Sequence, residues 1–147
     1  MRLVSDILSS KGYDIYSVKP DTSVLDALKL MAEKNIGALM VLRGKELMGI
    51  FSERDYARKV ILEGKSSADT QVSDIMTSKV AYVGPHNTLE ECMALMTDKH
   101  FRHLPVMEAN RLLGLISIGD VVKAIISNQQ IEIKQLESYI TGLLHGV

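Results

Sequence analysis

The sequence is poor in features that mark several large classes of protein. Its 147 residues include a single cysteine, Cys92, so no intramolecular disulfide can form, as is usual in a reducing compartment. No apolar run reaches the roughly 18 residues of a membrane-spanning helix. The N-terminal stretch has a polar Ser5-Asp6 step where a signal peptide needs an unbroken apolar segment. These absences predict a cytoplasmic protein with no membrane association.

Charge of one sign, aromatic side chains and catalytic motifs are scarce as well. The formal net charge is −1 and aromatic residues make up 5% of the chain, so nucleic-acid binding is not expected, although single-stranded RNA stays open as an alternative. The sequence has no Walker-type glycine loop and no Ser-His-Asp order. His86, His100 and His145 lack the spacing of metal ligands. We therefore predict neither an enzyme nor a metal site.

The sequence is rich in internal repetition. The segments 49–55 and 114–120 match, and the aspartates that end them, Asp55 and Asp120, lie 65 positions apart. The same offset relates Pro20 to Pro85, Ser23 to Thr88, Asp26 to Glu91, Met31 to Met96, Leu39 to Leu104 and Val41 to Val106. A lead segment, 4–8, matches 72–76 at an offset of 68. The chain is therefore a duplication, with a loop of about three extra residues between one lead and its repeat.

Each copy reads as strand, helix, strand, strand, helix. Short apolar stretches at 15–18 and 80–83 end before a proline and are predicted as strands. Ser23 and Thr88, each followed three residues later by an acidic residue, predict helix N-caps. Hairpins are predicted over 38–52 and 104–117, each followed by a helix. The fold class is therefore α+β, a tandem βαββα repeat with two small sheets packed with helices.

The repeats suggest domain limits. We place repeat 1 with its lead segment at 1–68, repeat 2 at 69–127 and a helical tail at 128–147. One copy of this size would have only marginal stability on its own, so the two copies are expected to fold together. Apolar residues near one helical face of the tail need a surface to pack on, which would be the parent module or a second subunit.

This order of elements, closed in each copy by Gly-x-x-Ser-x-x-Asp, resembles the cystathionine β-synthase (CBS) domain pair, or Bateman module. The resemblance runs from Val4 to about Ser127 and includes the segments 73–77 and 102–106. It implies a regulatory sensor of AMP, ATP, NAD or S-adenosylmethionine without a catalytic cofactor. It further implies a homodimer of pairs that acts by conformational change or on a regulated protein partner.

The residues themselves suit a nucleotide. A carboxylate accepts hydrogen bonds from both hydroxyls of a ribose, and Asp55 and Asp120 each stand where a strand gives way to a helix. Ser52 and Ser117 add hydroxyls where helix N–H groups favour a phosphate. The alternative is that both aspartates are ordinary helix-start residues that favour the helix dipole.

The resemblance implies two clefts. One would combine Ser52 and Asp55 with Lys79, Val80 and Ala81, and the other Ser117 and Asp120 with Asp14, Ile15 and Tyr16, whose ring would stack on the base. Phosphate-binding cations would be Arg54, Arg102 and His103. Gly37 and Ala38 stand where the second copy has Arg102 and His103, so the clefts should differ, and we expect the Asp55 cleft to take the more phosphorylated ligand. The competing hypothesis is a dimerisation or scaffold module with vestigial clefts.

Overall fold

The computed structural model describes residues 2–144, with side chains described as far as residue 142. His145 and the end of the predicted tail lie outside the described residues. The helices are α1 (Val4–Lys11), α2 (Val24–Lys34), α3 (Glu53–Tyr56), α4 (Val72–Ile75), α5 (Leu89–Lys99) and α6 (Ile118–Leu144). A π-helical turn, Ala57–Ile61, continues α3. The strands are β1 (Ser17–Val18), β2 (Ala38–Arg43), β3 (Glu46–Ser52), β4 (His103–Glu108) and β5 (Arg111–Ser117).

Two small sheets form, which confirms the predicted α+β class. In the first, β1 runs parallel to β2, and β2 pairs antiparallel with β3 through a bulge at Val41 and Leu42. The second contains β4 and β5 only. The strand predicted at 80–83 is wrong in extent, because this stretch contributes a single parallel bridge, Val83 to Val106. That bridge is the counterpart of the Val18 to Val41 pair at the offset of 65.

The predicted N-caps are present. Ser23 Oγ accepts the Asp26 N–H at 3.1 Å, and Thr88 Oγ1 accepts the Glu91 N–H at 3.1 Å. The Glu91 carboxylate also accepts the Thr88 N–H, so a full capping box starts α5. The Thr88 N–H, together with the Asn87 amide and the Thr88 hydroxyl, holds the pKa of Glu91 below its usual range. The short polar signature therefore fixes where both helices begin.

The two lead segments have exchanged places between the copies. The Val4 N–H donates to the Asn87 carbonyl, and the Val72 N–H donates to the Thr22 carbonyl, with both distances at 2.9 Å. Asn87 and Thr22 are themselves 65 positions apart, so the two contacts are equivalent. Each lead segment is therefore bound to the other copy rather than to the repeat that follows it in the chain.

This exchange decides how the chain divides. One compact unit consists of 1–13, 83–107 and 114–147, and the other of 14–82 and 108–113. These units differ from the division into 1–68, 69–127 and 128–147, which follows the sequence repeats.

Buried apolar side chains hold each unit together. The core of the unit containing 14–82 joins α2, the first sheet and α4, with Phe51, Leu39 and Val24 fully buried. In the other unit, Leu104, Ile116 and Val121 are fully buried. Since these residues come from the predicted strands and helices, the hydrophobic pattern of each copy accounts for its core.

Candidate ligand-binding site

The two Ser-x-x-Asp segments build the same cap at the end of a strand. The Asp55 N–H donates to Ser52 Oγ at 3.2 Å, and the Ser52 N–H donates to Asp55 Oδ2 at 3.0 Å. In the second copy the corresponding distances are 3.1 Å and 2.8 Å, between Ser117 and Asp120. These reciprocal bonds fix each carboxylate against the first turn of α3 or α6.

The start of the preceding hairpin lies beside each cap. The Glu53 N–H donates to the Gly37 carbonyl at 3.1 Å, and Ala38 pairs with Ser52 across the sheet. The Ile118 N–H donates to the Arg102 carbonyl at 2.8 Å. The predicted residues Gly37 and Ala38 are therefore next to Ser52, and Arg102 is next to the Ser117 cap. Arg102 is exposed and His103 half-buried.

Asp55 is engaged by the protein itself. Its side chain is 9% exposed, and Oδ1 lies 3.0 Å from Lys59 Nζ and 3.1 Å from Thr77 Oγ1. Ser52 Oγ donates to the other oxygen, Oδ2, at 3.0 Å. Both carboxylate oxygens therefore have partners, so a ribose would have to displace Lys59 or Thr77 to bind Asp55.

Asp120 is more accessible. Its side chain is 24% exposed, and its Oδ2 lies 2.7 Å from Nζ of Lys11, which is itself 41% exposed. Lys11 Nζ also donates to the Leu115 carbonyl at 2.8 Å. Burial by itself would raise the pKa of Asp120, but the Lys11 ammonium and the Ser117 N–H outweigh it and hold this pKa below its ordinary value. An exposed ion pair thus stands at the first turn of α6.

Sequence reasoning missed Lys11. The lead segments match at an offset of 68, and this offset relates Lys11 to Lys79, which the resemblance assigns to the Asp55 cleft. Applying the lead offset to Lys79 would therefore have found Lys11. That Lys11 contacts the second copy follows from the exchange of lead segments.

The other residues predicted for the Asp55 cleft belong to the same compact unit as Asp55. Thr77, which contacts Asp55, precedes Lys79 by two positions, so the segment 79–81 leaves from beside the cap. Lys79 is exposed, while Val80 and Ala81 are half-buried. Arg54 is exposed. Their roles toward a ligand stay predictions.

The residues predicted to complete the Asp120 cleft fall in the other compact unit. Asp14, Ile15 and Tyr16 belong to 14–82, whereas Ser117 and Asp120 belong to 114–147. The Tyr16 ring packs against the core of its own unit, and Lys34 Nζ lies 5.4 Å from the ring centroid. This cation–π contact occupies one face of the ring, so a base stacking there would compete with an ammonium.

A cavity of about 300 Å³ lies close to the first cap, near the lower limit for small-molecule pockets. Gly37 and Glu53 line it on one side, and residues of α2 and its C-terminus complete the lining: Leu28, Met31, Ala32, Asn35 and Ile36. The cavity therefore adjoins the segment predicted to bind a ligand, although Ser52 and Asp55 do not line it.

The described histidine, cysteine and acidic side chains give no sign of a metal site or of a reactive thiol. Within residues 2–144, His, Cys, Asp and Glu side chains form no cluster of three that could hold a metal ion. Cys92 is fully buried, and burial together with the nearby Glu91 carboxylate raises the pKa of its thiol to about 11. A thiol with that pKa stays protonated at neutral pH and is a poor nucleophile. None of the helices over residues 2–144 combines the length and hydrophobicity that crossing a bilayer requires.

Comparison with known proteins assigns the duplication to a family. The CBS domain family matches residues 4–62 and again 72–127. The mitochondrial CBS domain-containing protein CBSX3 of Arabidopsis thaliana is 42% identical, over 95% of this chain and 72% of its own length. A structure of a protein with CBS domains from Burkholderia ambifaria is 53% identical, with a TM-score of 0.83 over 86% of this chain and 96% of its own. The hexameric CBS-CP12 protein of bloom-forming cyanobacteria is 29% identical, with a TM-score of 0.74 over 82% and 69% of the two chains. This chain therefore belongs to the CBS domain family and carries two CBS domains in tandem.

Proposed function

We propose that this chain is a regulatory module that binds an adenine nucleotide of the AMP, ATP or NAD type and catalyses no reaction. The observation that carries the proposal is the exposed Lys11–Asp120 ion pair, fixed by Ser117 at the first turn of α6. A carboxylate, an ammonium and a hydroxyl at one helix start match the groups of a nucleotide, which presents a sugar diol beside a phosphate.

Ligand binding at this site would exchange one set of charge-assisted bonds for another. The Asp120 carboxylate would accept the ribose hydroxyls in place of the Lys11 ammonium, which is then available to a phosphate. The exposed side chain of Arg102, whose carbonyl is bound to the Ile118 N–H, would supply a second cation. Because Asp55 is tied to Lys59 and Thr77, we favour Asp120 over Asp55 as the ribose acceptor, and the greater phosphorylation expected at the Asp55 cleft is not part of this proposal.

The ligand would act by shifting populations. Releasing Lys11 from Asp120 loosens the contact between the lead helix α1 and the start of α6. A ligand that binds the released state more tightly therefore increases the population of the conformation in which α1 and α6 are less tightly held together. We propose that a homodimer of CBS pairs or a regulated cytoplasmic protein partner reads this change. Oligomers occur among similar proteins, as the hexameric CBS-CP12 protein illustrates.

Titration calorimetry with AMP, ATP and NAD tests the proposal. We expect Asp120→Ala to weaken nucleotide binding about 10- to 100-fold, the value of hydrogen bonds to a charged group. Lys11→Met should weaken ATP binding more than adenosine binding, because only ATP offers phosphates to the ammonium. Asp98→Ala, which removes an exposed carboxylate from α5, is the matched control and should bind like the unmodified chain.

A dimerisation or scaffold module with vestigial clefts is the second candidate. One observation favours it: lysines of the chain already neutralise both carboxylates, Lys59 at Asp55 and Lys11 at Asp120. The absence of any heat at millimolar nucleotide would favour this candidate and reject the sensor. Nucleotide turnover in the same samples would reject both.

A further inference from the structure

As far as side chains are described, the second half of α6 lies outside the core of its unit. Every residue from 129 to 141 is exposed, and the ion pair between Arg2 and Glu132, at 3.3 Å, has side chains 72% and 58% exposed. Such an exposed pair stabilises a helix only slightly. The CBS family match ends at residue 127, so this half of α6 also lies beyond the second domain. This segment extends from the packed first half of α6, and covering its apolar side would stabilise it further, because most helical stability comes from packing an apolar face.

The helix carries an apolar stripe with a seven-residue period. Ile126, Ile133 and Ile140 recur every seven positions, and between them fall Gln129 and Leu136. The exposed fractions are 49% for Ile126, 54% for Ile133 and Ile140, and 62% for Leu136. Val122 precedes this series, and Leu143 continues its spacing in the sequence. We call Val122, Ile126, Gln129, Ile133, Leu136 and Ile140 the α6 stripe.

We propose that the α6 stripe is a docking surface for α6 of a second copy of this chain, which forms a short parallel two-stranded coiled coil. Isoleucine at the first core position and leucine at the fourth favour two parallel strands in a coiled coil. The α6 stripe has isoleucine at its three first core positions and leucine at the fourth position 136, and in the sequence Leu143 falls at the next fourth position. The surface is separate from the nucleotide site and does not depend on the proposed function.

One pair of like charges flanks the stripe in this register. In a parallel pair, Glu132 of one helix lies beside Glu137 of the second copy, which by itself repels. Arg2 binds Glu132 at the flank of the stripe and so offsets this repulsion. The segment before α1 thereby gives the surface the positive charge that α6 lacks there.

The area of the stripe sets the strength of the contact. If each of its five aliphatic side chains buries about 50 Å² against the second copy, the contact buries roughly 250 Å² of surface per copy. A standard stable interface buries about 800 Å² per partner. The coiled coil should therefore form a weak dimer that other surfaces reinforce.

Two isoleucines of α6 give a matched test. Ile133 lies on the stripe, whereas Ile131 lies on the opposite side of the helix with a similar exposure, 51% against 54%. In sedimentation equilibrium of the full chain without nucleotide, Ile133→Asp should weaken self-association at least about 30-fold, as at an interface hot spot. Ile131→Asp carries the same loss of helix propensity and should change self-association by no more than about twofold. Equal effects of the two substitutions, or a chain that stays monomeric at about 200 µM, would overturn the proposal.

Cross-linking tests the parallel register. In a parallel pair, residue 136 of one helix faces residue 136 of the second copy at a distance that a disulfide can span. Residue 138 lies on the far side of the helix. Leu136→Cys should form a disulfide-linked dimer under mild oxidation at least about tenfold faster than Ser138→Cys. Cys92 is fully buried and does not compete. Equal rates for the two variants would reject the parallel coiled coil, and they would leave the nucleotide site untouched.

Discussion

Asp55 and Asp120 occupy equivalent positions in the two copies, yet they have different surroundings. In the first copy, the cation at the carboxylate is Lys59, which follows four residues later in the π-helical turn after α3. In the second copy the position equivalent to Lys59 is the buried Ala124, and the cation comes instead from Lys11 on the exchanged lead helix. One Lys-to-Ala difference thus separates a carboxylate bound within its own helix from one bound through an exposed ion pair.

The comparison supports the choice of Asp120 in the proposed function. The two lysines are equally exposed, at 41%, so the difference lies in the carboxylates. Asp55 is 9% exposed and also accepts from Thr77 Oγ1 and Ser52 Oγ, so displacing its partners costs more than displacing Lys11 from Asp120. The Lys11–Asp120 pair is partly solvated, and exposed pairs contribute little to stability. A duplicated fold can therefore keep one site for stability and leave its twin open for binding.

The largest expected difference between the two copies is in the free energy of unfolding when each aspartate is replaced by alanine. Asp55→Ala removes the acceptor for the Ser52 N–H and the Thr77 hydroxyl, and it removes the ion-pair partner of Lys59, which keeps its bond to the Ile75 carbonyl. We expect it to lower the free energy of unfolding by about 3 kcal/mol. The equivalent Asp120→Ala should cost only about 1 kcal/mol. Urea unfolding monitored by circular dichroism measures both, and equal costs would contradict the division of roles.

A smaller difference in stability between the copies is expected where the exchanged lead segments contact β3 and β5. A Cβ at Gly49 would stand 2.7 Å from the Thr77 carbonyl oxygen and 2.8 Å from Met76 Sδ. At Gly114 it would meet Leu8 Cδ2 at 2.8 Å, which is the end of a buried side chain rather than backbone. Gly49→Ala should therefore destabilise by about 2 kcal/mol, because backbone must move, and Gly114→Ala by about 1 kcal/mol. Thermal unfolding of the two variants checks this order, and a more damaging Gly114→Ala would contradict it.

The smallest effect concerns the titration of Asp120. Lys11→Met removes the ammonium that lowers the pKa of Asp120, so this pKa should rise while Ser117 still holds the carboxylate. Because the folded pKa lies below the unfolded one, the pair stabilises the fold fully above about pH 4, and this stabilisation is lost as the pH falls through the folded pKa. NMR titration of the Asp120 carboxyl carbon measures the shift. An unchanged pKa of Asp120 in Lys11→Met would contradict the role given to Lys11.

The sequence predicted local structure well where short-range chemistry decides it. The apolar pattern and the Ser23 and Thr88 caps place α2 and α5, and the Ser-x-x-Asp segments place both carboxylates at helix starts. The stretch 80–83 resembles 15–18 in composition, but both are too short for composition alone to determine strand pairing. The tail was predicted as helical, but the sequence left its packing partner open, and within residues 129–141 the structure shows exposed side chains rather than packing on the module.

By itself, the sequence determined the duplication, the α+β elements and the residues at each cap, because these depend on contacts between near neighbours in the chain. Only the tertiary structure decided that the lead segments change places, that Lys11 reaches Asp120, and that Asp55 is bound by Lys59 and Thr77. Those outcomes depend on which of two equivalent surfaces each lead helix packs against. The free-energy difference between these surfaces comes from contacts between residues far apart in the chain.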